Sequence, residues 1–274
     1  QMRNGLGAKT NKSSYKDTDV LEINALIGLL LMASIFKSND EDIVSLFAPG
    51  PTSRPIFRGT MSSKRYSVLM LSLRFDDAAT RVQRRVEDKA APISQIFQKL
   101  IDNSRDQFCT SSFLTIDEML IPFRGRCPFK IYMPKKPKKY GIKVQCLTDA
   151  ETSYLYNAYL YTGKDCDGVG LSEAEQTLSK PTQSVIKLCK PIEKTNKNVT
   201  AGNWFTSIQL LDEMKARGLT FVGTMRKDKR EIPPEFQANR KRKEGSTLFG
   251  FNQEKTMCSF VPKKNRAVIL VSNM

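Results

Sequence analysis

The spacing of apolar residues changes near residue 110, and this change constrains the fold more than any other feature of the chain. Before it, apolar residues recur at helical intervals, most clearly from Val20 to Leu31. After it, the apolar residues fall into short β-like runs, beginning with Phe113–Phe123. The sequence therefore predicts a helical N-terminal region followed by a region that is built on a sheet.

The helical region begins with a recognisable start signal. Asp19 is followed three positions later by Glu22, as in a capping box, and this predicts a buried helix over residues 19–37. The other elements predicted in this region are two helices, at 62–73 and 93–101, and two loops, at 49–55 and 74–92.

The second region contains strand and helix patterns in the order β-β-β-α-β-α-β, which is the order of an RNase H-like domain. Its predicted strands are 113–123, 140–148, 153–161, 198–201 and 219–225, and its predicted helices are 181–189 and 205–217. A basic loop at 226–243 and three further β-like runs follow, at 247–251, 256–261 and 266–271.

The predicted fold class is α/β: an RNase H-like mixed-sheet domain, preceded by a helical domain, with a β-rich insertion near the C-terminal end. The predicted domains are a helical one of a dimerisation or DNA-binding type, the first part of the core, and the basic loop with the β-rich insertion, at 1–110, 111–230 and 231–274. Because the chain begins at Gln1 and stops directly after a β-like run, we expect it to be a fragment.

The charge of the chain predicts a polyanionic partner. Among 274 residues, 44 are Lys or Arg and 28 are Asp or Glu, a net charge of +16. Histidine is absent, which excludes catalytic triads and imidazole-based zinc sites. The six cysteines form no CxxC pair, so free thiols are expected. The longest apolar run, 25–33, is shorter than the roughly 20 residues of a membrane span, and no membrane association is expected.

A dense basic tract lies between Arg124 and Lys143, where no acidic residue interrupts the positive charge. Its eight cationic residues are Arg124, Arg126, Lys130, Lys135, Lys136, Lys138, Lys139 and Lys143. Prolines at 128, 134 and 137 predict an extended tract that follows a nucleic-acid backbone. Contact with about six phosphates predicts a log–log salt slope near −5. The alternative is a solvated basic loop.

Asp117 lies just before this tract, inside an otherwise apolar strand. A carboxylate beside a positive surface is the arrangement with which phosphoryl-transfer enzymes hold a catalytic metal. The alternatives are that Asp117 faces solvent or pairs with Arg124 or Arg126. Glu118 is expected on the opposite side of the strand, as a structural partner of the arginines.

Several long strings resemble the piggyBac-type DNA transposase family, in the same order and over nearly the whole chain. The strongest are IDEMLIPFRGRCPFKIYMPKKPKKYGIK (116–143), LYTGK (160–164), NWFTS (203–207) and RGLTFVGTMRKDKREIP (217–233). The N-terminal strings EINALIGLLLMA (22–33) and RPIFRGTMSSKRYSVLMLSLRFDD (54–77) also fit.

The resemblance implies a site of three catalytic aspartates that hold Mg²⁺, and it places the first on Asp117. The second belongs in the pattern TxDNWFTS, but here the sequence is TAGNWFTS and the position is Gly202. The third lies, in the family, beyond the position of Met274. We therefore expect that Mg²⁺ is not productively bound and that the core is unable to cleave. Trp204, next to this position, is expected to stack on a flipped base or to belong to the core.

The leading interpretation is a transposase-derived DNA-binding fragment that acts in the nucleus, with no small-molecule substrate. The resemblance implies a homodimer for the full-length form. One alternative is an active cut-and-paste transposase whose full-length form completes the two-metal site. A second alternative is an interaction module for polyanions or acidic proteins.

Overall fold

A computed structural model describes residues 15–38, 40–50 and 53–274 of the chain. The chain divides into two compact units, one ending at Phe75 and one beginning at Asp76. The predicted domain boundary at residue 110 stays a prediction. No helix in the described ranges is long and apolar enough to cross a membrane.

The first unit is a small helical cluster. Its helices are α1 (Val20–Ile35), α2 (Ile43–Leu46), α3 (Pro55–Thr60) and α4 (Ser63–Ser72). The capping signal is confirmed, because the side chain of Asp19 accepts a hydrogen bond of 2.7 Å from the Glu22 backbone N–H. Pro51, in the predicted loop at 49–55, lies outside the described residues.

The prediction that α1 is buried is wrong for much of its surface. Leu26 and Leu29 pack against residues of α2, α3 and α4, including Phe57. Val20 and Leu31, by contrast, are 75% and 62% exposed. The physical reason is that this unit covers only one side of α1, whereas the apolar residues surround most of the helix.

The second unit opens with α5 (Arg81–Glu87) and α6 (Ser94–Asp106). The predicted surface loop at 74–92 is therefore partly wrong, since it contains α5. Local polar contacts hold this segment in place. Asp76, which is almost fully buried, pairs with both Arg81 and Arg84, and Arg84 also donates to the Ala91 carbonyl at 3.0 Å.

Within the described residues, nine strands form one mixed sheet. They are β1 (Phe113–Pro122), β2 (Lys130–Tyr132), β3 (Tyr140–Asp149), β4 (Leu155–Leu160), β5 (Asn198–Ala201), β6 (Thr220–Met225), β7 (Thr247–Phe251), β8 (Thr256–Lys263) and β9 (Arg266–Ser272). The order is β2-β3-β1-β5-β6-β9-β8-β7, and β4 also pairs with β3. Strands β1, β5 and β6 are parallel to one another, and β3 runs antiparallel to β1.

The helices of this unit include α7 (Glu173–Gln176), α8 (Lys180–Cys189) and α9 (Ile208–Ala216). The predicted order of strands and helices is confirmed, with β2 and α7 as unpredicted additions. The last predicted helix begins at Ile208 rather than at residue 205, because Ser207 caps it through a 3.1 Å bond from the Leu210 N–H. The three predicted C-terminal strands are present and extend the same sheet beyond β6.

Two apolar clusters cover the two faces of the sheet. On one face, Leu114 and Ile116 of β1 pack with residues of α8 and α9. On the other face, Val144 and Cys146 of β3 pack with Ile101 of α6. This layering, with a sheet between helices, sets which side each residue of β1 faces.

Candidate nucleic-acid interface and catalytic position

Asp117 lies in the middle of β1, opposite Cys146 of β3. Its side chain is exposed, and one carboxylate oxygen accepts a 2.8 Å hydrogen bond from the Glu118 N–H. It forms no ion pair with any residue that the structure describes, so the alternative pairing with Arg124 or Arg126 is not observed. The carboxylate therefore remains open toward solvent.

The parallel ladder of β1 and β5 ends one residue before Asp117 and Gly202. Ile116 and Ala201 are its last pair, so Asp117 and Gly202 are the next residues at the same end of the two strands. Two residues earlier on the same face, the hydroxyl oxygens of Thr115 and Thr200 lie 2.9 Å apart. Because side chains alternate, a side chain at position 202 would share the face of Asp117.

Gly202 itself carries no possible ligand, although the space for one exists. A Cβ atom built on Gly202 meets no atom within 4 Å, and its backbone is not in the left-handed region that favours glycine. Position 202 therefore has room for a side chain but carries none. Among the described residues, no group of three or more His, Cys, Asp or Glu could hold a metal ion. The residues present do not fit a two-metal site.

The basic tract forms a hairpin, here called the basic arm (residues 124–143), and the prediction that it is extended is wrong. Strand β2 folds back onto β3, with Lys130 opposite Ile142 and Tyr132 opposite Tyr140. The three prolines lie outside β2 and β3, where a missing N–H breaks no ladder bond. A Cβ on Gly141 would lie 2.2 Å from the Ile121 carbonyl oxygen. Only glycine therefore allows the backbone of the arm to lie this close to β1.

The eight cations of the arm divide into two groups. Five side chains are exposed: Arg124, Arg126, Lys135, Lys138 and Lys139. Lys138 also takes part in an interaction, and the other three cations have internal partners. Lys130 donates to the Gly125 carbonyl at 3.0 Å, and Lys136 donates to the Glu118 carbonyl at 2.9 Å. The third, Lys143, is held by aromatic rings, so the number of cations open to phosphate is smaller than predicted.

Lys143 lies between two rings. Its ammonium is 4.7 Å from the centre of the Trp204 ring and 4.8 Å from that of Tyr161. Burial lowers the pKa of Lys143 from its ordinary value. Lys143 thus fastens the segment after β5 to the sheet, through a cation–π contact.

Two neighbouring residues behave differently from their predictions. Glu118 faces away from Asp117 as expected, but its partner is Lys136, at 3.3 Å, rather than an arginine. Trp204 is 38% exposed and packs edge-on against Phe205, which is fully buried. Of the two aromatic residues, only Phe205 belongs to the core, and stacking of Trp204 on a base stays a prediction.

Comparisons with known proteins agree with the fold described above. A sequence model of the family described as Transposase IS4 matches residues 3–274. The chain belongs to the IS4/piggyBac-type transposase family. The resemblance inferred from the sequence strings is confirmed.

Two relatives show how far the likeness extends. The human PiggyBac transposable element-derived protein 3 is 27% identical over 168 residues, which are 59% of this chain and 27% of that protein. A cryo-EM structure of the piggyBac transposase synaptic complex with hairpin DNA matches 97% of this chain at 34% identity, with a TM-score of 0.83. The chain covers 55% of that transposase. The predicted RNase H-like fold of this transposase family is confirmed.

Two other acids near the transposase core have structural roles. Asp149, which ends β3, is buried and accepts hydrogen bonds from the backbone N–H groups of Ser111 at 2.7 Å and Thr152 at 2.9 Å. Hydrogen bonds from Ser111 lower the pKa of Asp149 most. Asp212, on α9, forms an ion pair with Lys255. Each of these two carboxylates therefore already has a partner of its own.

The structural role of Asp149 gives a testable pH dependence. Because the folded state lowers the pKa below its ordinary 3.8, the stabilisation is present above that pH and is lost as the pH falls. Replacing Asp149→Asn should lower the melting temperature by several degrees at pH 7. Urea or thermal unfolding at pH 7 and pH 3 should show a smaller difference from the native chain at pH 3. An equal difference at both values would contradict this role.

The sequence did not predict one feature of the arm, a pair of tyrosines. Tyr132 and Tyr140 flank the lysine-rich turn and meet across the hairpin, with ring centres 4.8 Å apart. The signal was available, since two tyrosines border the string MPKKPKK. Without the hairpin register, however, nothing in the sequence shows that these two residues form a pair.

Proposed function

We propose that this chain is a DNA-binding member of its transposase family that does not cleave DNA with its own residues. The observation that carries the proposal is the register of β1 and β5, which sets a glycine beside Asp117. The exposed cations of the basic arm lie just beyond the same end of β1 and do not depend on that ligand. DNA binding by this chain therefore does not require the residues that DNA cleavage requires.

The chemistry of phosphodiester cleavage explains the separation. Two metal ions must activate the attacking oxygen and stabilise the leaving oxygen, and carboxylates from several elements hold them. One carboxylate on β1 does not meet this need. Loss of a group that stabilises transition-state charge costs about two or more orders of magnitude in rate. Mg²⁺ is thus a cofactor of active relatives that this chain does not hold productively.

DNA is the proposed partner, and it follows that the nucleus is the proposed place of action. Support comes from the net charge of +16 and from the matched relative, whose structure is described as a synaptic complex with hairpin DNA. The homodimer that the family resemblance implies belongs to the same proposal. An interaction with acidic proteins in place of DNA is the competing outcome.

The proposal is tested by measuring binding and cleavage on one labelled duplex. With about four phosphates contacted, the binding constant should fall with salt at a log–log slope of about −4. Binding should persist in EDTA, because it needs no metal, and no strand cleavage should appear when Mg²⁺ is present. The matched control is Asp117→Asn, which should change neither result.

Different outcomes separate the alternatives. Mg²⁺-dependent cleavage that Asp117→Asn abolishes would show an active transposase and overturn the proposal. Equal affinity for duplex DNA and for polyglutamate at the same salt would favour a general interaction module. Salt-dependent binding to DNA without cleavage is the expected result.

A further inference from the structure

Two tyrosines at the tip of the basic arm have exposed aromatic faces. Tyr132 of β2 and Tyr140 of β3 are direct cross-strand partners, and their rings lie 4.8 Å apart at an angle of 37°. They are 53% and 58% exposed. A cross-strand aromatic pair stabilises a short hairpin, but such a pair does not require that both rings remain more than half exposed.

The pair lies on the same face of the sheet as Asp117. Asp117 is opposite Cys146, and Ile121 is opposite Ile142, so alternate residues of β1 and β3 share this face. Tyr140 is the next residue of β3 on that face, two positions before Ile142. At about 3.3 Å per residue, the six positions from 117 to the level of Tyr140 span about 20 Å.

The β1 side of this face is apolar and exposed between these points, whereas the β3 residues Val144 and Cys146 are covered by α6. Met119 and Ile121 follow Asp117 on this face, and both are more than 40% exposed. The turn beyond the tyrosines carries the exposed residues Lys135 and Lys139. An apolar strip that ends in a pair of exposed rings beside cations matches a DNA strand whose bases are uncovered and whose phosphates are charged.

We propose that Tyr132 and Tyr140 form a stacking site for unpaired bases of a DNA strand that runs along this face from the position of Asp117. The inference rests on the proposed DNA binding and adds the form of DNA that is bound. Bases inside a paired duplex have both faces covered by their neighbours. Only unpaired or extruded bases offer a free face to the tyrosine rings.

The test compares two labelled DNAs of the same sequence and length, one fully paired and one with three unpaired nucleotides at its centre. The native chain should bind the second about tenfold more tightly than the first. The double variant Tyr132→Ser, Tyr140→Ser should lose this preference, while its affinity for the paired duplex changes less than about twofold. The double variant Tyr132→Phe, Tyr140→Phe retains the rings and should keep the preference.

Folding of the variants is checked by thermal unfolding. If the serine variant does not fold, Tyr132→Leu and Tyr140→Leu singly retain apolar bulk without an aromatic face and should each reduce the preference. Fluorescence of 2-aminopurine at an unpaired position should be quenched by the native chain and not by the variants without rings.

The outcomes distinguish this inference from the proposed function. If the native chain binds neither DNA, both fail. If it binds both DNAs equally, or if the serine or leucine variants keep the preference, the stacking site is overturned and DNA binding stands. Loss of the preference in variants that still bind paired duplex supports the site.

Discussion

Neutralising three exposed cations of the basic arm is expected to weaken duplex binding by about two orders of magnitude near 0.1 M salt. The variant is Arg124→Gln, Lys135→Gln, Lys139→Gln. Each lost phosphate contact removes about 0.9 from the log–log salt slope, so the slope should become less steep by about 2.7. Fluorescence anisotropy over a range of salt concentrations measures both quantities. Lys138 is kept because it takes part in an interaction of its own.

The matched control removes the same charge from the opposite end of the strands. Lys190, Lys194 and Lys215 are exposed and lie close before β5 or β6. Two of them, Lys190 and Lys215, also pair with Glu175 and Glu254, so this control tests the removal of charge at sites that are partly neutralised. Because β1, β5 and β6 are parallel, this end is distant from the arm, which follows the C-terminal end of β1. The triple change to glutamine there should alter the affinity by less than about threefold.

Equal weakening by the two triple variants would show that binding follows net charge rather than the arm. The arm would then be a solvated basic loop, which is the alternative that the sequence left open.

Three other cations of the arm are expected to contribute to folding rather than to DNA binding. Lys130, Lys136 and Lys143 are engaged with a carbonyl, a glutamate and two rings, respectively.

The fold was largely predictable because its signals are local. Asp19 caps α1, Gly218 follows the last turn of α9, and the short apolar runs from Phe113 onward became strands. The missed helix α5 has a different cause. Its stability comes from the contacts of Asp76 with Arg81 and Arg84, which connect a loop to a helix and leave no periodic pattern.

The candidate site was predictable only in part, since its geometry depends on residues far apart in sequence. Asp117 and Gly202 were identified from strings, but their adjacency follows from the β1–β5 ladder. The contact of Lys143 with Trp204 joins positions 61 residues apart, and only the fold brings them together. The extended conformation predicted from the prolines of the arm was wrong for a related reason. They border the turn of a hairpin, and sequence alone did not show that β2 returns to β3.

Replacing Gly202→Asp is expected to create a divalent-metal site together with Asp117. The open space at position 202 accepts the side chain, and the strand register aims it to the face of Asp117. Without metal, two carboxylates on neighbouring strands repel each other, which should cost about 1 kcal/mol at an exposed site. With Mn²⁺ at ten times its Kd, binding should stabilise the variant by about 1.4 kcal/mol. The melting temperature should then rise by roughly 3–6 °C.

Two controls decide whether the stabilisation comes from a shared metal. Gly202→Asn has the same shape without the charge, and Asp117→Asn combined with Gly202→Asp removes the other carboxylate. Neither should show more than a small shift with Mn²⁺, because a neutral amide is a weaker ligand than a carboxylate for such an ion. Equal shifts in all three variants would place the metal elsewhere. No shift in Gly202→Asp would mean that the strand register does not preserve a metal-binding geometry. A shift confined to Gly202→Asp would show that the fold holds positions 117 and 202 close enough to share one metal ion.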